Sequence, residues 1–158
     1  MIYHRQKIDS FTEKFEKCSV IVLLGENYSL LQKDAKKISE ALAGNAADEE
    51  MRVTKYFNQE INEKRNEIIT NLRTKSFFPG RQIILLNELH EKDYKIITEI
   101  DAEWQNDDAI TIVTTNALSK KSDVIKLLAS SDRIAVVNYT NSKMDRDFFV
   151  KRSVSYTH

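Results

Sequence analysis

The residues Gly25 to Gln32, GENYSLLQ, follow a β-branched apolar run at the place where a phosphate-binding loop would lie. Such a loop has the pattern G-x-x-x-x-G-K-[ST], in which backbone amides surround the phosphates, the lysine contacts them and the hydroxyl binds Mg²⁺. Counted from Gly25, the second glycine is Leu30, the lysine is Leu31 and the hydroxyl is Gln32. Three of the four required groups are therefore missing. A displaced phosphate ligand at Lys33 is an alternative, but a solvated helix surface is more typical of such a lysine.

Pairs of polar residues at the ends of two later strands also bear on whether the chain binds a nucleotide and Mg²⁺. A nucleotide hydrolase ends its third strand with an aspartate for Mg²⁺ and usually a glutamate that orients water. This chain has Asn87 and Glu88, and an amide lacks the negative charge that a magnesium site prefers. Thr115 and Asn116 end the next strand, where they could contact a phosphate or cap the following helix, and we favour the cap.

No other residues show the spacing of a metal site or a nucleophilic centre. His4, His90 and His158 are dispersed and lack paired-ligand spacing. Cys18 is the single cysteine, which excludes a disulfide framework and fits a reducing cytoplasm. We therefore predict no catalytic residues, no bound metal and no cofactor.

Two adjacent aromatics, Phe77 and Phe78, stand directly before Pro79 and an apolar strand. Neighbouring side chains diverge by about 100° on a helix and face opposite ways on a strand, so both cannot easily enter one core. An exposed phenylalanine pair would be a suitable anchor for a protein partner, because burying each ring is worth roughly 1.5 to 3 kcal/mol. The alternative is that both rings pack in the core at the sheet edge.

Strands alternate with helices along the whole chain, and this predicts an α/β domain with a five-stranded parallel sheet and flanking helices. The first strand should be central and the second nearer an edge. A short amphipathic helix around Phe11 and Phe15 should precede the first strand. The predicted strands are 19–25, 51–57, 82–87, 108–115 and 133–139, and the predicted helices are 28–43, 61–78, 90–104 and 119–130.

Length and charge exclude several classes of protein. The 158 residues suit one domain, and 24 basic residues balance 24 acidic ones, so no overall field attracts nucleic acid or an anionic membrane. The longest apolar run, Val20 to Leu24, is far shorter than the roughly 20 residues that span a bilayer. We expect a cytoplasmic protein without membrane contact.

The order of elements, the turn VLLGENYSLL, the segment SFFPGRQIILLN and the later TTNALSKKSD together resemble the N-terminal domain of the delta subunit of bacterial DNA polymerase III, a clamp-loader subunit. The resemblance covers about residues 8 to 140. It implies an AAA+-like domain, at residues 19–140, with a degenerate P-loop NTPase site. Residues 1–18 would form a polar segment with a short helix, and residues 141–158 a tail ahead of lid and collar domains that this sequence does not include.

The resemblance also implies a binding site. In the family, a small residue, a large apolar residue and a phenylalanine before the third strand insert into a hydrophobic pocket of the ring-shaped sliding clamp. These positions are Ser76, Phe77 and Phe78, with phenylalanine at 77 where the family commonly has leucine. The N-x-L-S-K pattern of Asn116, Leu118, Ser119 and Lys120 would have a structural role.

The implied function is a non-catalytic module that binds the sliding clamp and helps open the ring during DNA replication. The implied partners are the clamp (beta subunit) and, through a collar, other clamp-loader subunits, with DNA contacted only indirectly. One alternative is a divergent nucleotide-binding P-loop NTPase, supported by Lys33 and Glu88. A second is a nucleic-acid binder, supported only by Lys120, Lys121 and scattered N-terminal basic residues.

Overall fold

The computed structural model describes residues 2–4, 15–44, 53–73, 81–90, 93–105, 107–115 and 131–139, with the backbone alone at 2–4 and 138. These residues form one parallel sheet covered by helices. The strands are β1 (Ile2–His4), β2 (Val20–Leu24), β3 (Val53–Phe57), β4 (Ile83–Asn87), β5 (Ile110–Thr115) and β6 (Ile134–Asn138). The helices are α1 (Tyr28–Ala43), α2 (Gln59–Glu63), α3 (Arg65–Asn71) and α4 (Lys95–Glu103).

The strand order of the described sheet is β1-β6-β2-β5-β4-β3, and every pair is parallel. All five predicted strands are present, with β2 central and β3 at an edge as predicted. A sixth strand, β1, was not predicted; it pairs Ile2 with Val136 of β6. Three residues are too short to show an alternating pattern, so only backbone pairing reveals this strand.

The central strand β2 is buried on both faces of the sheet. Val20, Val22 and Leu24 face the cluster that also contains the apolar side chains of α2, α3 and α4. Ile21 and Leu23 face the opposite cluster, which contains those of α1. All five side chains are fully buried, which is why the strand is a continuous apolar run rather than an alternating one.

Helix α1 has the bounds that the sequence predicts, because both ends are capped. The side chain of Asn27 accepts a hydrogen bond from the Leu30 N–H at 3.1 Å. At the other end Gly44 has φ 95°, and its N–H donates to the Glu40 carbonyl at 2.8 Å. This left-handed φ favours glycine, so the helix ends there.

Two helices differ from the predicted bounds. The helix predicted to reach Phe77 or Phe78 is broken at Lys64 and its second part, α3, ends at Asn71. The Leu72 carbonyl accepts from the Ala109 N–H at 2.8 Å, so it is not used for another helical turn.

The second difference is the start of α4, which was predicted at His90 but lies at Lys95. The chain stays bonded to β5 beyond β4, because the Leu89 N–H donates to the Thr114 carbonyl at 2.9 Å and the Leu89 carbonyl accepts from the Thr115 hydroxyl at 2.8 Å. These bonds hold Leu89 against the sheet and delay the helix.

Other predictions concern residues 5–14, 116–130 and 141–158, which lie outside the described part of the chain. Phe15, at the end of the predicted N-terminal helix, is fully buried in the cluster on the α1 side of the sheet. Cys18 is buried in the same cluster, and burial raises the pKa of its thiol to about 11. Within the described residues, no helix is long and apolar enough to cross a membrane.

Candidate functional site

A cleft of about 190 Å³ lies at the carboxyl end of the sheet, where ligands bind in parallel α/β folds. Its walls come from the turn after β2, the start of α1 and the residues that end or follow β3, β4 and β5. The lining residues are Gly25, Glu26, Tyr28, Leu31, Asn58, Glu88, Leu89, His90, Thr114 and Thr115. The cleft therefore occupies the position at which the sequence pattern would place a nucleotide.

Gly25, the first residue of the loop pattern, packs directly against Tyr139. A Cβ atom at position 25 would lie 2.5 Å from the Tyr139 Cβ, closer than two such carbons can approach. Tyr139 is itself fixed, because its N–H donates to the Leu24 carbonyl at 2.7 Å and its hydroxyl donates to buried Asp34 Oδ2 at 2.8 Å. Packing against Tyr139 is thus sufficient to require glycine here.

The two positions that would together hold Mg²⁺ are bonded to each other. Gln32 Nε2 donates to Asn87 Oδ1 at 2.8 Å and lies 3.4 Å from Thr114 Oγ1. Asn87 is buried, with 1% of its surface exposed. The polar groups at these positions therefore satisfy one another as neutral hydrogen-bonding groups.

The other residues of the loop pattern are not directed at the cleft as phosphate ligands. Leu31, at the lysine position, is 2% exposed and belongs to the core on the α1 side. Lys33 is exposed on α1 and is not among the residues that line the cleft. The Thr115 hydroxyl donates to the Leu89 carbonyl, and the helix that we predict it to cap lies outside the described residues.

The open side of the cleft carries negative charge. Glu88 has a left-handed φ of 57°, and its N–H donates to Thr114 Oγ1 at 3.0 Å. The pKa of the Tyr28 hydroxyl is raised, first by partial burial and then by the nearby Glu88 carboxylate. Glu26 adds a second carboxyl group to the lining. A cleft lined in this way disfavours a triphosphate, since like charges repel.

The predicted clamp-binding residues Ser76, Phe77 and Phe78 lie outside the described residues, as do Asn116, Leu118, Ser119 and Lys120. What the structure describes is the chain on either side of residues 74–80. This stretch begins after α3 and leads into the amino end of β4. It is therefore attached to the opposite end of the sheet from the cleft.

Helix α3 is held to the edge strand β3 by a buried tyrosine. The Tyr56 hydroxyl donates to Glu67 Oε2 at 2.8 Å and accepts from Asn71 Nδ2 at 2.9 Å. Burial and the bond to Glu67 raise the pKa of Tyr56 to about 12. These contacts fix the last turn of the helix that precedes residues 74–80.

A protein-family model described as DNA polymerase III, delta subunit, matches residues 21–140. The chain belongs to this family. The matched residues include β2 to β6, the cleft and the stretch that contains Phe77 and Phe78. In the family, the delta subunit is a clamp-loader subunit of DNA polymerase III.

Solved structures resemble this delta-family chain in fold. One is a DNA polymerase III gamma subunit-related protein from Thermotoga maritima, with a TM-score of 0.58 and 14% identity over 92% of this chain and 49% of that one. Another is C. elegans PCH-2, with a TM-score of 0.48 and 16% identity over 95% of this chain and 45% of that one. The first likeness agrees with the predicted α/β fold with a parallel sheet and flanking helices. The chain spans about half the length of these proteins, and no curated protein sequence matches it.

Gln32 and Asn87 lie 55 residues apart in the chain, and their bond to each other was not predicted from the sequence. The signal available was that one amide-bearing residue stands at each of the two Mg²⁺ positions. The bond between Asp34 and Tyr139 was also missed. The sequence signal for this bond was the position of Asp34 on the apolar face of α1, between Leu31 and Ile38.

Proposed function

We propose that this delta-family chain is a clamp-loader module without catalytic activity that binds the DNA polymerase sliding clamp through Phe77 and Phe78. Binding helps the ring to open during replication. The protein acts in the cytoplasm and contacts DNA only indirectly. Membership of the delta family is the observation that carries this proposal.

The hydrogen bond between Gln32 and Asn87 supports the non-catalytic part of the proposal. A nucleotide hydrolase needs a hydroxyl and a carboxylate at these positions, because both bind the Mg²⁺ that bridges the phosphates. Two neutral side chains that are already bonded to each other supply neither. Glu88 remains beside the cleft, but a single carboxylate on an exposed turn does not replace the missing loop.

The sequence around residues 76–78 supports the binding part of the proposal. Two adjacent aromatics follow a helix and precede a buried strand, where at least one ring is expected at the surface. A sliding clamp that takes these rings into an apolar pocket gains hydrophobic free energy. To open the ring, the module must bind the open form more tightly than the closed form, and a tenfold difference needs only about 1.4 kcal/mol.

The test is the affinity of purified chain for the sliding clamp of the same organism, measured for the parent and for Phe78→Ala. We expect the variant to bind about 30-fold more weakly, because truncation of an anchor residue commonly costs 2 kcal/mol or more. Phe57→Ala is the matched control, since Phe57 is an exposed phenylalanine (45%) at the carboxyl end of β3, and residues 74–80 lead into the amino end of β4. Phe77→Leu should retain binding.

Parent-like affinity of Phe78→Ala would show that the anchor is wrongly assigned. An equal loss of affinity in Phe57→Ala would show that the clamp contacts another surface. Circular dichroism on every variant establishes that the fold is retained.

Thermal unfolding with and without excess Mg-ATP tests the alternative of a divergent NTPase. A nucleotide present at 100 times its Kd would stabilise the protein by about 2.7 kcal/mol. For a domain of this size that corresponds to a rise in Tm of about 5 °C or more. We expect no rise, and a rise of this size would instead establish a nucleotide site in the cleft.

A further inference from the structure

One turn at the amino end of β5, residues 105–109 with residue 106 outside the described part, contacts the chain on both sides of residues 74–80. The two flanks are Leu72–Arg73 after α3 and Arg81–Gln82 before β4. No motif in the sequence points to this turn. Its contacts bear directly on how the proposed clamp-binding stretch is held.

The side chain of Asp108 closes this turn. Asp108 Oδ2 accepts from the Gln105 N–H at 2.8 Å, and the Asp108 N–H donates to the Gln105 carbonyl at 3.0 Å. Asp107 has a left-handed φ of 75°, which the reversal of the chain requires. Beneath the turn, Trp104 Nε1 donates to the Ala109 carbonyl at 3.1 Å. Asp108 is 6% exposed, so the turn is built around a buried carboxylate.

The first flank is held by the backbone and the side chain of this turn. The Ala109 N–H donates to the Leu72 carbonyl at 2.8 Å. Arg73 Nε lies 3.8 Å from Asp108 Oδ2, and its guanidinium also donates to the Glu103 carbonyl at 2.6 Å. Both residues that follow α3 are thereby tied to one place.

The second flank is held by the same turn. Arg81 donates through one guanidinium nitrogen to the Asp108 carbonyl at 2.9 Å and through the other to the Glu16 carbonyl at 3.2 Å. The Ile110 N–H donates to the Gln82 carbonyl at 3.0 Å. Asp108 thus contacts the arginine on each side of residues 74–80, once through its carboxylate and once through its carbonyl.

We propose that Asp108 is a positioning residue for clamp binding: its turn fixes the two ends of the stretch that carries Ser76, Phe77 and Phe78. This inference rests on the proposed function. Binding is weakened by the entropy lost when a flexible segment is ordered on its partner. A segment with both ends already fixed loses less, because its ends do not have to be brought together. The turn therefore raises affinity without touching the clamp.

The test compares Asp108→Ala with the control variant Asp101→Ala. Asp101 is a similar carboxylate, 14% exposed, that accepts from Ser19 Oγ at 2.6 Å and from Arg133 Nε at 3.1 Å. Its side chain joins α4 to the chain before β2 and β6 rather than to either flank. Both variants lose a carboxylate that contacts an arginine, so a shared loss of stability affects them alike.

Two measurements are made on each variant. Hydrogen exchange at the Ala109 and Ile110 amides reports whether the bonds to Leu72 and Gln82 have opened. Affinity for the purified sliding clamp reports the functional effect. We expect Asp108→Ala to exchange faster at both amides and to bind about tenfold more weakly, equivalent to about 1.4 kcal/mol. Asp101→Ala should keep its clamp affinity within about twofold, the precision expected of such a comparison.

Asp108→Asn serves as the conservative variant. Its amide oxygen can still accept from the Gln105 N–H, so the turn and most of the affinity should be recovered. If Asp108→Ala does not fold, Arg81→Gln takes its place: it leaves the turn intact and removes the side-chain contact between the turn and the second flank. We expect about fivefold weaker clamp binding from it, since this flank is then held to the turn only by the bond from the Ile110 N–H to the Gln82 carbonyl.

Parent-like clamp affinity in Asp108→Ala or in its substitute would overturn the inference. So would an equal loss of affinity in Asp101→Ala, because the effect would then be one of general stability. Failure of the proposed function looks different, since in that case Phe78→Ala itself binds as the parent does. Loss of binding in Phe78→Ala with parent-like binding in Asp108→Ala leaves the proposed function standing and removes only this inference.

Discussion

The two ends of the sheet are held together by different chemistry. At the carboxyl end, Gln32 bonds to Asn87 at 2.8 Å, the Thr115 hydroxyl donates to the Leu89 carbonyl and the Tyr139 hydroxyl donates to Asp34, so each of these contacts has a neutral donor. At the amino end, arginines bond to backbone carbonyls and carboxylates. The arginines are Arg73, Arg81 and Arg133, and the residues that accept from them include Asp101, Glu103 and Asp108.

This difference reverses the usual arrangement of a parallel α/β fold. Ligands normally bind at the carboxyl end, where strand ends offer unpaired polar groups. In this chain the polar groups at the two Mg²⁺ positions bond to each other. The stretch with Phe77 and Phe78 is attached at the other end, beside the arginine contacts. Under the proposed function, binding has moved to the end of the sheet that normally supplies stability.

Substitutions that remove or introduce glycine should give the largest difference in stability between the two ends of the sheet. Gly25→Ala, at the carboxyl end, should destabilise the protein by about 3 kcal/mol, because the new Cβ overlaps the Tyr139 Cβ at 2.5 Å. Asp107→Gly, at the amino end, should be neutral or stabilising by about 0.5 kcal/mol, since glycine adopts a φ of 75° without strain. Urea unfolding measures both. A cost below about 1 kcal/mol for Gly25→Ala would contradict the close packing.

High pH should weaken the contact that holds α3 to the edge strand β3. The pKa of Tyr56 is about 12 in the folded protein, above its ordinary value of 10.0, so the unfolded chain ionises first as pH rises. The stabilising contribution is fully present below pH 10 and is lost between pH 10 and 12, by about 2 kcal/mol.

The measurement for this second prediction is the free energy of unfolding of the parent and of Tyr56→Phe across that range of pH. Cys18, whose pKa is raised to about 11, contributes equally to both proteins and cancels in the difference. The variant should lose about 2 kcal/mol less than the parent. Parallel curves for the two proteins would show that the Tyr56 hydroxyl does not titrate as expected.

The smallest expected effect is that of salt on the coupling energies of the two kinds of contact. A double-mutant cycle on Gln32 and Asn87 should give a coupling of about 1 kcal/mol that does not change with salt, because both side chains are neutral. A cycle on Asp101 and Arg133 should give a similar value in dilute buffer. That value should fall in 1 M salt, where the Debye length is about 3 Å and Arg133 is 44% exposed. If the two coupling energies changed equally with salt, the proposed difference in chemistry between the two ends would be wrong.

The sequence by itself determined the parallel α/β architecture, the central place of β2 and the bounds of α1. These follow from local causes: a continuous apolar run, a helical period, an asparagine before the first turn and Gly44 after the last. It also determined which ligand-bearing residues of the phosphate loop are missing, since counting from Gly25 is enough. The delta-family resemblance stated on these segments was confirmed by the family match over residues 21–140.

Only the tertiary structure decided the contacts between residues far apart in the chain. The pairing of Ile2–His4 with β6, the early end of α3 at Asn71 and the bond of Gln32 to Asn87 all depend on partners many residues away. The same is true of Asp108, which lies 35 residues after Arg73 and 27 after Arg81 in the numbering of the chain. Periodicity reports which face of an element is buried, but it carries no information on which partner will satisfy a given polar group.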